Sequence, residues 1–199
     1  MVDRPSLRDR RDLLLHWAFP GFVQLVGSAV DGLVFFVGSI FFTSAAALQT
    51  VQAHRAGHGP TGEGWMDWWS SVVQFAGTLL SNVDTFHAMQ TGFDDTSYDR
   101  LVWTPDAIGS ACFLVSGYLA YFAVCGCLAC WRRRSVEWQI AAVNLVGCVA
   151  FGISAIASFV VPSSGSIIDL AAANLFTAFG GLCFLVGAVL LMRDAGAAT

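Results

Sequence analysis

The chain contains no lysine and few charged residues of any kind. Only 12% of its 199 residues are charged, ten of these are arginines, and the formal net charge is −4. A weakly acidic balance of this kind does not indicate a nucleic-acid partner, which would favour a strongly basic surface. The sequence also contains no catalytic motif of any specificity, so we expect the protein not to be an enzyme.

Apolar residues dominate the composition instead. They form 56% of the chain and several stretches of about 20 residues, the length that a helix needs to cross roughly 30 Å of hydrocarbon. This pattern predicts an all-α integral membrane protein, a bundle of five transmembrane helices plus a short N-terminal helical stub. The predicted spans are residues 30–51, 66–89, 105–130, 138–161 and 167–192. All seven tryptophans fall at or just outside span ends, where the headgroup level favours indole rings.

An internal repeat organises these spans. The stretch AIGSACFLVSGYLA, starting at Ala107, returns 71 residues later as AFGGLCFLVGAVLL with seven of fourteen positions identical. A third version, GLVFFVGSIFF, starts at Gly32, and the two spans that precede the full copies resemble each other at an offset of 70 residues. We therefore expect a duplicated helix hairpin whose copies enter the membrane in the same direction.

The repeat divides the chain into five parts. Residues 1–29 form a charged stub and connection, residues 30–51 the first transmembrane helix, residues 66–130 and 137–192 the two hairpin repeats, and residues 193–199 a short tail. The stub has only about seven apolar residues upstream of Pro20, which is too short for a span.

Small or polar residues recur seven apart in each copy of the repeated helix. These pairs are Asp31 with Gly38, Gly109 with Ser116, and Gly180 with Gly187. A spacing of seven returns to one face of a helix, and a face of small residues lets two helix backbones approach closely in lipid. The repeat therefore predicts the same helix packing built more than once.

Polar residues on the second and fourth spans form the candidate site. They are Gln74, Ser81, Asp84 and His87 on the second span and Asn144 on the fourth. An intramembrane acid is costly, so Asp84 with His87 is a candidate proton or cation site. The other interpretation, which we favour, is a polar seam that hydrogen-bonds across the bundle. The seam recurs on the fourth span, where Ser154 replaces Asp84, so the charge does not recur.

The sequence gives little support for a metal or a cofactor. Cys125, Cys127 and Cys130 lie in CGCLAC, whose spacing is compatible with a metal site or with lipid acylation, but no second cluster completes four ligands. We expect these cysteines to act as small packing residues. The four histidines are dispersed and form no intramembrane pair for haem, so we predict neither cofactor nor metal.

The number of arginines on each side does not determine how the protein is oriented in the membrane. Five lie on each side of the five-span topology, so the positive-inside rule is balanced. Three arginines in the short WRRR loop, at residues 131–134, are difficult to translocate, whereas the opposite loop carries Asp94, Asp95 and Asp99. We therefore expect the WRRR loop to face the cytoplasm.

Three phrases resemble a known family. FFVGSIFFTSAA from Phe35, WTPDAIGSACFLVSG from Trp103 and NLVGCVAFGISAIA from Asn144 are similar to bacterial membrane proteins of the YrhK-like type, whose short hairpins carry an F-apolar-apolar-GS signature. The resemblance implies a multi-pass helical protein of the bacterial inner membrane with no characterised biochemical role. It supplies no catalytic residues.

These features favour a non-enzymatic membrane protein that acts through helix packing, as an accessory subunit, a scaffold or an oligomer. Its expected partners are the lipid bilayer and either a second copy or another membrane protein. The alternative is a small ion, proton or solute transporter or channel that uses the Asp84 and His87 face. A membrane enzyme or redox carrier is the third class, and it would require a bound cofactor.

Overall fold

The computed structural model describes residues 28–90, 94–161 and 166–197. The predicted stub lies outside this part of the chain up to residue 27, as do the last two residues of the tail. The described elements, in chain order, are α1 (Ser28–Arg55), α2 (Trp65–Ala88), α3 (Asp95–Tyr98), a π-helical turn (Asp99–Trp103), α4 (Thr104–Cys125), α5 (Val136–Ala157), β1 (Val160–Val161), β2 (Ser166–Ile167) and α6 (Leu170–Ala197).

Four helices in the described ranges are long and apolar enough to cross a membrane. They cover Gly32–Arg55, Thr96–Cys125, Val136–Ala157 and Leu175–Asp194. Helix α2 is not among them because Gln74, Asn82 and Asp84 make it more polar than its neighbours. Four of the five predicted spans therefore meet the requirement, and they indicate a membrane protein.

The distribution of side chains supports the same conclusion. Thr78 is fully buried and Ser116 is 1% exposed, whereas Phe41 is 71% and Ile156 69% exposed. A water-soluble bundle would bury its large apolar side chains and leave the hydroxyls outside. In lipid the arrangement is reversed, because small residues bring helices together and large apolar ones face the acyl chains.

The long helices pack in chain order, each antiparallel to the next. Between α1 and α2 the hydroxyl of Thr43 donates to the Thr78 carbonyl at 3.2 Å, and that of Thr50 donates to the Ser71 carbonyl at 3.2 Å. Between the π-helical turn that precedes α4 and helix α5, the indole of Trp103 donates to the Ala155 carbonyl at 2.7 Å. We name α2 with α4 the first hairpin and α5 with α6 the second hairpin.

Four phenylalanines from four helices meet at the centre of the bundle. Phe42 of α1 lies 5.7 Å from Phe113 and 5.3 Å from Phe184, measured between ring centroids. Phe151 of α5 lies 5.9 Å from Phe113 and 5.8 Å from Phe184. These rings connect α1 to the second hairpin, which is distant from it in sequence.

Two ends of the predicted third span differ from the structure. The predicted span begins at residue 105, but α3, the π-helical turn and α4 are continuous, and the Thr104 hydroxyl donates back to the Asp99 carbonyl at 2.7 Å. The helix also ends at Cys125 rather than at residue 130. Gly126 adopts φ 68°, a left-handed conformation that suits glycine and terminates the helix.

Candidate functional site

Around Gln74, the predicted polar face forms a hydrogen-bonded seam between α2 and α4. The Ser116 hydroxyl on α4 donates to Gln74 Oε1 at 3.2 Å, and the Ser70 hydroxyl donates to the Ser116 carbonyl at 3.0 Å. Ser70 and Ser116 are both buried. Gln74 therefore joins the two helices of the first hairpin and is not presented to a ligand.

Ser81 and His87 turn toward their own helix. The Ser81 hydroxyl donates to the Gly77 carbonyl at 3.3 Å, one turn earlier. His87 Nδ1 lies 2.8 Å from the Val83 carbonyl, again one turn earlier, so the ring is placed to donate there. The structure thus places both predicted residues beside Asp84 on α2, with these hydrogen bonds made within α2.

Asp84 faces a second acid that the sequence analysis did not include in the site. The carboxyl groups of Asp84 and Asp106 lie close enough across the first hairpin to interact electrostatically. Both side chains are only partly accessible. Two carboxyl groups that interact in this way repel when both are ionised, so protonation of one of them or a nearby cation would relieve the repulsion.

The second hairpin places two hydroxyls where the first places two acids. At offsets of 70 and 71 residues, Asp84 corresponds to Ser154 and Asp106 to Thr177. The Ser154 and Thr177 hydroxyl oxygens are 2.6 Å apart, and the Ser154 hydroxyl donates to the Ala173 carbonyl at 2.7 Å. The repeat offset is therefore the signal that could have identified Asp106 from the sequence.

Asn144 lies in the second hairpin and does not join Gln74 in one site. It faces Gly187, which stands at the repeat position of Ser116. Among the described residues Asn144 Oδ1 is buried without a hydrogen-bond partner. The glycine supplies no hydroxyl where Ser116 supplies one to Gln74, which explains the unpaired amide oxygen.

Glycine contacts recur at matching positions of the two hairpins. A Cβ added to Gly77 would lie 3.1 Å from the Gly109 carbonyl oxygen, and one added to Gly147 would lie 3.1 Å from the Gly180 carbonyl oxygen. At both places glycine is required because the backbones nearly touch. The seams that contain Gly109 and Gly180 are therefore packed, whereas Gly38 meets nothing within 4 Å among the described residues.

The acidic end of the first hairpin carries a further anion. The Ser97 amide donates to Asp94 Oδ1 at 3.2 Å, and hydrogen bonds from Ser97 lower the pKa of Asp94 below its ordinary value. This exposed carboxylate caps α3. It adds negative charge to the end of the bundle where Asp84 and Asp106 lie.

The opposite end carries a disulfide that the sequence analysis missed. Cys125 is bonded to Cys130, whereas Cys127 between them is free and exposed. The expectation that Cys125 and Cys130 serve only as packing residues is wrong. The pair could have been suspected only by placing the end of α4 at Gly126, because a continuous helix would separate the two side chains.

A groove adjoins this disulfide. It encloses about 520 Å³ and is lined by aromatic and aliphatic side chains, including Tyr121, Trp131, Trp138 and Leu190.

In the described ranges no group of three or more His, Cys, Asp or Glu side chains could hold a metal ion.

No family model matches the chain, and comparison with curated proteins and with solved structures likewise finds no match. The resemblance to YrhK-like proteins stays a prediction. The function of this chain is therefore argued from its own geometry.

Proposed function

We propose that the chain is a non-enzymatic multi-pass protein of the bacterial inner membrane, built from a duplicated helix hairpin, that serves as a scaffold, an accessory subunit or an oligomer. One observation carries the proposal. The contact between Gly77 and Gly109 recurs between Gly147 and Gly180, and each is flanked by the same cysteine and phenylalanine positions. The first contact includes Cys112 and Phe113, and the second includes Cys183 and Phe184.

A fifth transmembrane span is part of the proposal. Helix α2 is polar, but it lies between α1 and α4, and hydrogen bonds connect it to both. Thr85 Oγ1 lies 3.0 Å from Ser39 Oγ of α1, and Gln74 accepts from Ser116 of α4. A polar helix can cross a bilayer when its polar groups face neighbouring helices, so α2 completes the bundle. Five antiparallel spans would give the two hairpins the same direction through the membrane.

The use of the polar seam argues against transport as the main activity. Gln74, Ser81, Ser154 and Thr177 all form hydrogen bonds within the protein. A seam whose groups pair with each other holds helices in register and leaves few groups to replace the hydration of a passing ion. The open seam around Gly38 is compatible with a second copy of the chain or another membrane helix.

Ion or proton handling is the second candidate, and the Asp84 and Asp106 pair favours it. Acids inside a bundle are costly, and two that face each other gain from binding a proton or a cation. The second hairpin lacks both acids. Any such activity therefore belongs to the first hairpin alone.

A flux assay in liposomes decides between the candidates. The full chain is reconstituted under an imposed proton or cation gradient and compared with Asp84→Asn and with Asp67→Asn. Asp67 is a matched control because it lies on the same helix at the opposite, exposed end. The scaffold proposal expects no flux above that of empty liposomes from any of the three proteins.

The oligomeric state of the same three proteins is measured by light scattering after reconstitution in nanodiscs. Flux in the native chain and Asp67→Asn that is lost in Asp84→Asn, with helical content unchanged, would overturn the scaffold proposal in favour of ion handling.

A further inference from the structure

The connection from α4 to α5 contains three cysteines within six residues. Cys125 is the last residue of α4, Gly126 ends the helix, and the disulfide to Cys130 closes a ring that contains Cys127. This connection joins the two hairpins and is not itself part of the repeat. The cysteines that occupy equivalent repeat positions, Cys112 and Cys183, lie inside the bundle.

Besides the disulfide, hydrogen bonds also hold the backbone of Cys130 in place. The Tyr121 hydroxyl donates to the Cys130 carbonyl at 2.7 Å, and the Trp138 indole donates to the same oxygen at 3.1 Å. The Cys130 amide lies 3.3 Å from the Tyr121 oxygen as a further contact. A disulfide across a separation of five residues also constrains the unfolded chain less than one that closes a long loop. The covalent bond is therefore largely redundant as a staple.

The three cysteine residues differ in exposure. Cys125 is buried at 5% exposure, Cys130 is half-buried, and Cys127 is exposed with its sulfur 3.2 Å from the Ala129 carbonyl. An incoming thiolate can therefore reach the sulfur of Cys130 more easily than that of Cys125.

The surroundings attract an anion such as a thiolate. Arg132, Arg133 and Arg134 are all exposed, and Arg132 Nη1 donates to the Val124 carbonyl at 3.3 Å, which places its guanidinium beside the ring. Positive charge around a cysteine pair raises the local concentration of thiolate and stabilises the thiolate that leaves.

We propose that Cys125 and Cys130 form a reversible thiol–disulfide exchange site for a dithiol at this end of the bundle. A thiolate of the dithiol attacks Cys130 Sγ, the bond to Cys125 Sγ breaks, and Cys125 leaves with the electron pair and takes a proton from water. The second thiol of the dithiol then attacks the sulfur of the first thiol, which is bonded to Cys130 Sγ in the mixed disulfide. This attack releases Cys130 as a thiolate, which takes up a proton. The dithiol loses two electrons and becomes a disulfide, and the cysteine pair gains the two electrons and two protons.

Cys127 provides a route back from the mixed disulfide. Its exposed thiol lies within the same ring and can attack the sulfur of Cys130, which expels the incoming thiol and forms a bond between Cys127 and Cys130. Replacing Cys127 should therefore prolong the life of the mixed disulfide.

The first experiment titrates the full chain in nanodiscs with glutathione buffers that range from reducing to oxidising. Thiols are counted after acid quenching, unfolding in detergent and maleimide labelling. The proposal expects two thiols per chain to appear and disappear reversibly while helical content stays constant. Cys183→Ser is the matched control, since its buried sulfur should not change the two-thiol transition. A pair that stays oxidised until the protein unfolds, or that never oxidises, would overturn the proposal.

The second experiment tests which sulfur is attacked. Two variants that also carry Cys127→Ser are exposed to oxidised glutathione: one adds Cys125→Ser and the other Cys130→Ser. Uptake of one glutathione, followed by intact mass, should be roughly tenfold faster when Cys130 is retained, because access governs thiol reactivity. Equal rates in the two variants would contradict the assignment of Cys130 as the attacked sulfur.

Discussion

The first and second hairpins, residues 65–125 and 136–197, share their apolar contacts and differ in their polar ones. Glycine meets glycine at the same place in each. Two acids in the first hairpin correspond to two hydroxyls in the second, and the Gln74 and Ser116 bond corresponds to Asn144 facing Gly187. Close backbone packing is therefore common to both hairpins, whereas polar substitutions at fixed positions distinguish one hairpin from the other.

The largest expected effect comes from filling the shared glycine contact. Gly77→Leu and Gly147→Leu should each lower the free energy of unfolding by about 3 kcal/mol, because added atoms meet backbone that cannot move aside. Unfolding by detergent titration, followed by circular dichroism, measures the change. Gly181→Leu is the control, since a Cβ there meets nothing within 4 Å among the described residues. A large loss in only one hairpin would show that the two contacts are not equivalent.

A smaller effect is expected from making the first hairpin resemble the second. The double variant Asp84→Ser with Asp106→Thr should raise the free energy of unfolding by about 2 kcal/mol, because it removes two costly acids and supplies a hydroxyl pair. The same detergent titration measures it. Ser154→Ala with Thr177→Ala, which removes the matching hydroxyl pair, should instead destabilise the protein. If the acid-to-hydroxyl variant were less stable than the native chain, the acids would be forming a favourable contact.

The two amide side chains should respond differently to removal. Gln74→Leu should cost about 1 kcal/mol because it breaks the bond from the buried Ser116 hydroxyl. Asn144→Leu should change the free energy of unfolding by less than about 0.5 kcal/mol, since its Oδ1 has no partner among the described residues to lose. Equal losses at both positions would remove this distinction between the hairpins.

The smallest effect on stability is expected at Asp94 and Asp169, the aspartates that cap the starts of α3 and α6. Asp94 accepts from the Ser97 amide at 3.2 Å, and Asp169 accepts from the Ala172 amide at 3.0 Å. Because the pKa of Asp94 is lowered in the folded protein, its stabilisation is present above the ordinary pKa of about 4 and is lost as the pH falls through the lowered value.

Amide hydrogen exchange at Ser97, followed as the pH is lowered, measures that loss. After correction for the intrinsic pH dependence of exchange, protection should fall with decreasing pH, and Asp94→Asn should weaken the response. Protection that does not change through this range would contradict a role for the Asp94 carboxylate in the cap.

The approximate helix positions were predictable because largely apolar stretches between turn residues indicate them. The predicted start and end of the second span, residues 66 and 89, differ from those of α2 by one residue each. The end of α4 was not predictable, because it depends on the left-handed conformation of Gly126. A glycine within an apolar stretch does not reveal its φ angle in the sequence. The Cys125 to Cys130 disulfide was missed for the same reason.

The acid pair was missed because a contact between helices requires their register. Asp106 was not among the predicted site residues, because its position relative to Asp84 is fixed only when the first hairpin packs at Gly77 and Gly109. The seam at Gln74 was predictable from helical spacing, but its partner Ser116 was recognised only as a small residue. Periodicity identifies the face of a helix but not the side chain that meets it.

Helices α1 and α6, the first and last long helices described, are both longer than α5. Each has 28 residues, which at 1.5 Å per residue is about 42 Å, against roughly 30 Å of hydrocarbon. Helix α5 has 22 residues, about 33 Å, and matches the hydrocarbon closely. The outer pair must therefore tilt or extend into the headgroups, where Arg55 and Arg193 can reach water. A thicker membrane should therefore draw α1 and α6 upright, while α5 keeps its orientation.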